Sequence, residues 1–207
     1  RNVIHANGEP FMMVGDTPWA LPWRGTYESV TAYAENRQTR GFNTALLMSL
    51  QPDRGVTGPR SRTEMGGFAV AFEDLPDGHI NEMNPDYFAY FDSLQNILVD
   101  HGIVPVFQPV FHGFGWKGKN VLGWDMDAGE YARYCRYLVA RYGAQPAMWL
   151  VCGDSDGRNV GVLEGGEDVE TWDAYQQPTG LHYSPFSHEI PDWWDRDSAY
   201  VPHQNRV

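Results

Sequence analysis

The stretch YLVARYGAQPAMWLVCGD, residues 137–154, decides the fold. Its first half closes a helix: the stripe Tyr131, Tyr134, Cys135, Leu138 and Tyr142 recurs at helical spacing, Asp127 and Glu130 open it in capping-box spacing, and Gly143 ends it. Its second half, AMWLVC at 147–152, is an apolar run with no alternation, which reads as a strand buried on both faces. Helix, glycine and buried strand in immediate succession are one βα period.

Working outward, the same cycle recurs. Thr26 caps a helix carrying Val30, Tyr33, Ala34 and Arg37 that stops at Gly41, and FNTALLMSL (42–50) follows as a strand. Asn84 caps a second helix with Pro85 at its first position and Phe88, Phe91, Leu94 and Leu98 on one face; it stops at Gly102, and IVPVFQPVF (103–111) follows. FMMVGD (11–16) supplies a strand before the first helix, and weaker strands fall near 179–183 and 199–203. About six βα units in sequence order, with no G-x-G-x-x-G opening any helix, predict an α/β protein of the (β/α)8 TIM-barrel class rather than a doubly wound sheet. The chain is expected to cover strands one to six of a single barrel domain spanning 1–207. Residues 51–83, rich in Gly, Pro, Asp and Arg, are too long for a plain connection and read as an insertion above the barrel mouth.

The balance of 27 acidic against 15 basic residues, a formal charge of −12, argues against nucleic acid, whose binding draws on phosphate neutralisation. No run reaches the roughly 18 apolar residues of a membrane span, so no membrane insertion is expected. Eight tryptophans, several beside Gly or Pro in apparent loops, suit a site for a flat-faced, uncharged ligand. Cys135 and Cys152 have no metal spacing and read as buried thiols.

Barrel sites are built at the C-terminal ends of strands. That rule collects Gly15, Asp16, Thr17 and Trp19 after the first strand, and Gln51 and Asp53 after the second. His112, Gly113 and Trp116 follow the third, Asp154, Ser155 and Asp156 the fourth, His182 and Tyr183 the fifth, and His203, Gln204 and Asn205 the sixth. Asp, His, Gln and Trp converging on one rim is the composition of a carbohydrate site, where hydroxyls need polar partners, sugar faces need aromatic platforms and bond cleavage needs carboxyl groups. Asp154 is the candidate acid: it follows the most apolar strand, where partial desolvation favours the protonated form that a proton donor requires. Asp16, Trp19, His112, Trp116, Asp156, His182 and Gln204 are the candidate substrate ligands, with Trp124 a further platform or a plug. Arg54, Arg60 and Arg62 in the inserted loop could answer a substrate carboxylate. A metal-dependent barrel hydrolase is the rival reading, but strand one ends in Gly15-Asp16 rather than H-x-H, and no H-E-x-x-H or C-x-x-C occurs. No cofactor is called for. A non-catalytic carbohydrate-binding protein is the other alternative.

Several segments resemble one family. NGEPFMMVGDTPWAL (7–21), RGFNTALL (40–47), NPDYFAYFDSL (84–94), HGIVPVF (101–107), YLVARYGAQPAMWLVCGD (137–154), GLHYSP (180–185) and HQN (203–205) look, in that order, like the apiosidase-like catalytic domain, glycoside hydrolase family 140 and its relatives. The resemblance implies a clan A type barrel that hydrolyses a glycosidic bond in a plant or algal polysaccharide or a derived oligosaccharide, by a carboxylate acid/base mechanism with retention. The characterised activity is release of apiose-linked side chains from pectin. It also implies periplasmic or extracellular action. The family's GGD segment maps onto Cys152-Gly153-Asp154, which puts the acid/base role on Asp154. Its second carboxylate, a Glu at the end of strand seven, has no counterpart in these 207 residues, and Glu189 falls in a loop between strands five and six. A complete eight-unit barrel typically needs about 250 residues, so the natural chain is expected to continue past Val207 into strands seven and eight and the nucleophile.

Overall fold

Asn43 sets the entry to the sheet. In this computed structural model, which describes residues 3–5, 7–54, 70–113, 121–155 and 157–183, its side-chain amide donates to the Met12 carbonyl (2.7 Å) and its Oδ1 accepts from the Val14 amide (2.8 Å). Of the stretch expected as a strand over 11–16, only the end forms a ladder strand, β1 (Gly15–Asp16), although the Phe11 amide also donates to the Val3 carbonyl (2.9 Å) and the Val14 carbonyl accepts from the Asn43 amide (2.9 Å). The side chain satisfies the Met12 carbonyl and the Val14 amide, which a ladder would otherwise pair.

Four more strands follow: β2 (Thr44–Met48), β3 (Val104–Gln108), β4 (Met148–Ser155) and β5 (Thr179–Tyr183). All neighbours are parallel and the spatial order is β1-β2-β3-β4-β5, with no reversal. A doubly wound sheet reverses its strand order at a switch point, and a barrel does not. The β/α barrel arrangement expected from the sequence is thus present over its first five strands. The strand expected at 199–203 lies outside the described residues.

Helices α1 (Leu21–Arg24) and α2 (Tyr27–Thr39) join β1 to β2, α3 (Pro85–Asp100) joins β2 to β3, α4 (Ala128–Tyr142) joins β3 to β4, and α5 (Val162–Trp172) joins β4 to β5. The caps read from the sequence are formed: Thr26 accepts from Ser29, Asn84 from Asp86 and Tyr87, and Asp127 from Glu130. The fifth helix is hidden in the sequence by Gly165 and Gly166, poor helix formers in its middle. Gly165 sits where α5 closes on α4: a Cβ there would lie 2.8 Å from the Tyr131 ring and 2.9 Å from Cys135 Sγ.

Register sorts the strand side chains. Leu46, Val106 and Met148 form one row on the concave face, while Leu47 and Phe107 face the helices, as does Trp149. The helix-facing row is a stacked aromatic layer, with Phe107 parallel to Tyr142 (5.1 Å, 13°) and to Trp149 (5.1 Å, 21°). Phe91 of α3 meets Phe107 edge-on at 6.1 Å. Two tyrosines tie helices to the sheet by donating to main-chain carbonyls: Tyr87 to Ser49 (2.8 Å), just past the end of β2, and Tyr131 to Val151, in the middle of β4. Cys135 and Cys152 are free buried thiols, and burial pushes the Cys135 thiol well up. No helix among the described residues is long and apolar enough to cross a membrane.

Residues 70–83, the described end of the inserted segment, are packed rather than loose. Phe72 is buried edge-on against Phe88 (5.8 Å) and Tyr134 (5.2 Å). Glu130, in the first turn of α4, gathers this segment by accepting from the Ile80 amide (3.0 Å) and Asn81 Nδ2 (2.6 Å) and by facing His79 Nδ1 at 3.0 Å. The Glu130 hydrogen bond and charge hold the His79 imidazole above its ordinary value of 6.5. A raised folded-state value means stability that is present below 6.5 and is lost as pH rises through the raised value. Glu130→Gln is expected to lower the His79 titration midpoint, followed by NMR; an unchanged midpoint would refute the pairing.

Candidate active site

The geometry of the site follows from Gly153. Beyond the end of β3 the chain stays alongside β4: the Gly153 amide donates to the Val110 carbonyl (3.2 Å), the His112 amide donates to the Gly153 carbonyl (2.7 Å), and Phe111 pairs with Gly153. On its other edge β4 pairs Gly153 with His182 and Ser155 with Tyr183 of β5, so Asp154 is the extra residue of a β-bulge. Its φ is 51°, in the left-handed region that a residue bearing a Cβ seldom adopts. Such strain costs on the order of 1–3 kcal/mol and persists where the surroundings impose it. The sequence-based strand at 147–152 thus runs on to Ser155, and Asp154 belongs to the strand end rather than to the loop after it.

The bulge turns the Asp154 carboxylate onto the rim. Its Oδ1 lies 3.7 Å from His182 Nε2, and the two side chains keep 26% and 29% of their surface exposed. Its Oδ2 lies over Gly113, where a Cβ would be only 2.7 Å away. Behind His182, Nδ1 receives the side-chain amide of Gln108 at 2.6 Å. Trp19 completes the wall, its ring centroid 6.3 Å from that of His182 and 5.4 Å from that of Phe111.

Asp154, His182 and Trp19 are therefore brought together as a group. Asp16 is turned the other way. It pairs with Ala45 in the helix-facing row, and its carboxylate meets Arg37 Nε (2.7 Å), the Tyr33 hydroxyl (3.4 Å) and the Thr17 amide (2.8 Å). Burial, and then the Asp16 charge, push the Tyr33 phenol up to about 12. His112 is only 2% exposed; its ring lies edge-on to Tyr131 at 6.5 Å, with Gly123 against it, and its carbonyl accepts from Trp124 Nε1 at 2.6 Å. That bond pins an indole which otherwise stands open, 62% exposed. Gln51 is fully buried, Asp53 bridges to Val121, and Arg54 is paired with Asp125 at 3.0 Å. Trp116, Asp156, Gln204, His203, Asn205, Glu189, Arg60 and Arg62 lie outside the described residues. Among the described residues no three His, Cys, Asp or Glu converge in a way that could hold a metal ion.

Gln108 is the site residue that sequence reading passes over. Its signal is a single amide inside the apolar run IVPVFQPVF, fully buried with no charge beside it in the sequence. A buried amide needs a partner, and the partner is two strands away.

The arrangement holds a carboxyl group, an imidazole and aromatic faces on a concave rim, able to exchange a proton with a ligand while an aromatic ring backs it. Gly113→Ala, whose Cβ would stand 2.5 Å from the Phe111 ring and 2.7 Å from Asp154 Oδ2, is expected to cost about 1–3 kcal/mol, as overpacking does, in denaturant unfolding, and to shift the His182 imidazole resonances by displacing both neighbours. Unchanged resonances would rule out the close approach.

Solved structures share this architecture. A glycoside hydrolase family 5 protein from Bacteroides vulgatus superposes with a TM-score of 0.62 at 22% identity over 84% of this chain and 36% of its own. Another solved protein, described as a glycoside hydrolase, gives 0.67 at 21% identity over 88% of this chain and 39% of its own. An endo-1,4-beta-D-mannanase from Thermotoga petrophila gives 0.52 at 14% identity over 84% and 56%. These likenesses establish the barrel fold, and the chain spans less than two fifths of the length of the first two. No curated protein matches it. The family description "Apiosidase-like, catalytic domain" matches residues 1–204, which include every segment that builds the rim around Asp154, and the chain belongs to that family.

Proposed function

We propose that this chain carries the general acid/base of a glycoside hydrolase, with Asp154 in that role, acting on a plant or algal polysaccharide or an oligosaccharide derived from it. The observation that carries the reading is the bulge. A strained backbone position presents one carboxylate at the C-terminal end of β4, beside His182 and Trp19 on the rim where barrel enzymes do their chemistry. Family membership supports the reaction class.

In the proposed reaction a glycosidic oxygen docks against Asp154 and takes its proton as its bond to the anomeric carbon breaks and that carbon bonds to a second, nucleophilic carboxylate. Water then attacks the anomeric carbon, giving its proton to the Asp154 carboxylate and releasing the second carboxylate, so that two displacements leave the configuration retained. Trp19 offers the apolar face of a sugar ring a platform, and the exposed Trp124 indole extends the aromatic rim. Retention of anomeric configuration is part of the proposal, as is action in the periplasm or outside the cell, where such polymers are met.

Asp154→Asn in the intact protein is expected to lower the rate of reducing-sugar release from pectin by about 100- to 10,000-fold, the range that one positioned proton donor contributes. Binding of the derived oligosaccharides is expected to persist, and NMR of the first product should show the substrate's anomeric configuration. Turnover at the wild-type rate by the variant would remove Asp154 from the mechanism; inversion in the wild type would remove retention.

A further inference from the structure

Three adjacent strands contribute one side chain each to a chain of polar contacts. Gln108, the last residue of β3, is fully buried on the concave face. Its amide crosses the end of β4 at Gly153, where a Cβ would stand 3.1 Å from both Cδ and Nε2, and reaches Nδ1 of His182 on β5 at 2.6 Å. The far side of that ring, Nε2, faces Asp154 Oδ1 at 3.7 Å.

We propose that Gln108 is a positioning residue for Asp154 that acts through His182: its side-chain N–H donates to Nδ1, which places the neutral ring's proton on Nε2 and turns that N–H toward the carboxylate. The inference rests on the reading of Asp154 as the acid/base. An imidazole is symmetric enough in shape that packing alone does not choose its tautomer; the hydrogen bond at one nitrogen decides what the other nitrogen offers. With Nδ1 occupied by a donor, His182 offers Asp154 a donor. That distinguishes the two carboxylate oxygens, with Oδ1 facing the ring and Oδ2 over Gly113. At 3.7 Å the contact orients without capturing, and a small approach of the carboxylate would complete the bond.

An amide is suited to this place because it donates without carrying charge. A carboxylate at 108 could only accept, which would draw the ring's proton onto Nδ1 or leave the ring doubly protonated. Methionine would keep the volume and supply no donor. The same position therefore yields three distinguishable states of one ring.

The test is NMR of the ring nitrogens in the full chain labelled with 15N-histidine, with His182 assigned by the resonances that His182→Asn removes. Wild type is expected to show Nε2 protonated and Nδ1 bare. Gln108→Glu should protonate Nδ1, and Gln108→Met should let the ring exchange between tautomers and should lower the rate of reducing-sugar release from pectin by about 10- to 100-fold, with KM nearly unchanged. A wild-type spectrum with Nδ1 protonated overturns the proposal, and that spectrum decides alone if a variant does not fold. Variants that fold and keep both the wild-type tautomer and the wild-type rate overturn it too. If the variants fail in this way while Asp154→Asn is inactive, the positioning role falls and the acid/base reading stands; an active Asp154→Asn removes the acid/base reading and the inference with it.

Discussion

The two backbone hydrogen bonds at Gly153 are the constraint on which the rest of the site depends. They splice the continuation of β3 onto the end of β4, so that β4 is held on both edges at the point where its register with β5 slips. A strand gripped on both sides cannot relax a bulge by fraying. The extra residue is forced into a left-handed conformation, its side chain is carried to the rim, and the lack of a Cβ at Gly153 leaves room for Gln108 and Phe111. Removing the splice would leave Asp154 in an ordinary loop.

Around this point the fold is stiffened from outside. The aromatic layer of Phe107, Trp149, Tyr142 and Phe91 fixes the separation between helices and sheet, and the hydroxyls of Tyr87 and Tyr131 reach carbonyls just past β2 and within β4. Asp16 serves the same outer layer by joining β1 to α2 through Arg37 and Tyr33. The concave face has a different composition: Leu46 and Leu150 keep partial exposure, and the polar chain from Gln108 to Asp154 lies at its upper edge.

What could be read from the sequence is what is decided within a few residues. The caps at Thr26, Asn84 and Asp127, the stops at Gly41, Gly102 and Gly143, and the buried character of β2, β3 and β4 depend on local chemistry and period, and from them the βα order follows. The position of Asp154 is legible for the same reason, since a Gly-Asp pair after an apolar strand marks a strand end. Other features are set by partners far along the chain. Asp16 faces the helices because of its register with Ala45, and at a strand end one residue of shift exchanges the faces. The helix at Val162–Trp172 needs a glycine at 165 because Tyr131 and Cys135, some thirty residues earlier, fill the space of its Cβ. His112 is enclosed by Gly123 and Tyr131, and Gln108 meets a residue 74 positions away; neither relation leaves a mark in local sequence.

Asn43 carries a consequence of another kind. Besides the main-chain bond from Asn43 to the Val14 carbonyl, the first segment of the barrel is attached at Met12 and Val14 through one primary amide that donates to one residue and accepts from the other. Hydrolysis of that amide, the ordinary chemical ageing of asparagine, would keep the acceptor for Val14, lose the donor for Met12, and set a negative charge against a carbonyl oxygen. The first strand of the sheet is thus fastened in part by a hydrolysable group, and after its loss the main-chain bonds from Asn43 to the Val14 carbonyl and the short ladder of β1 with β2 would carry that attachment by themselves.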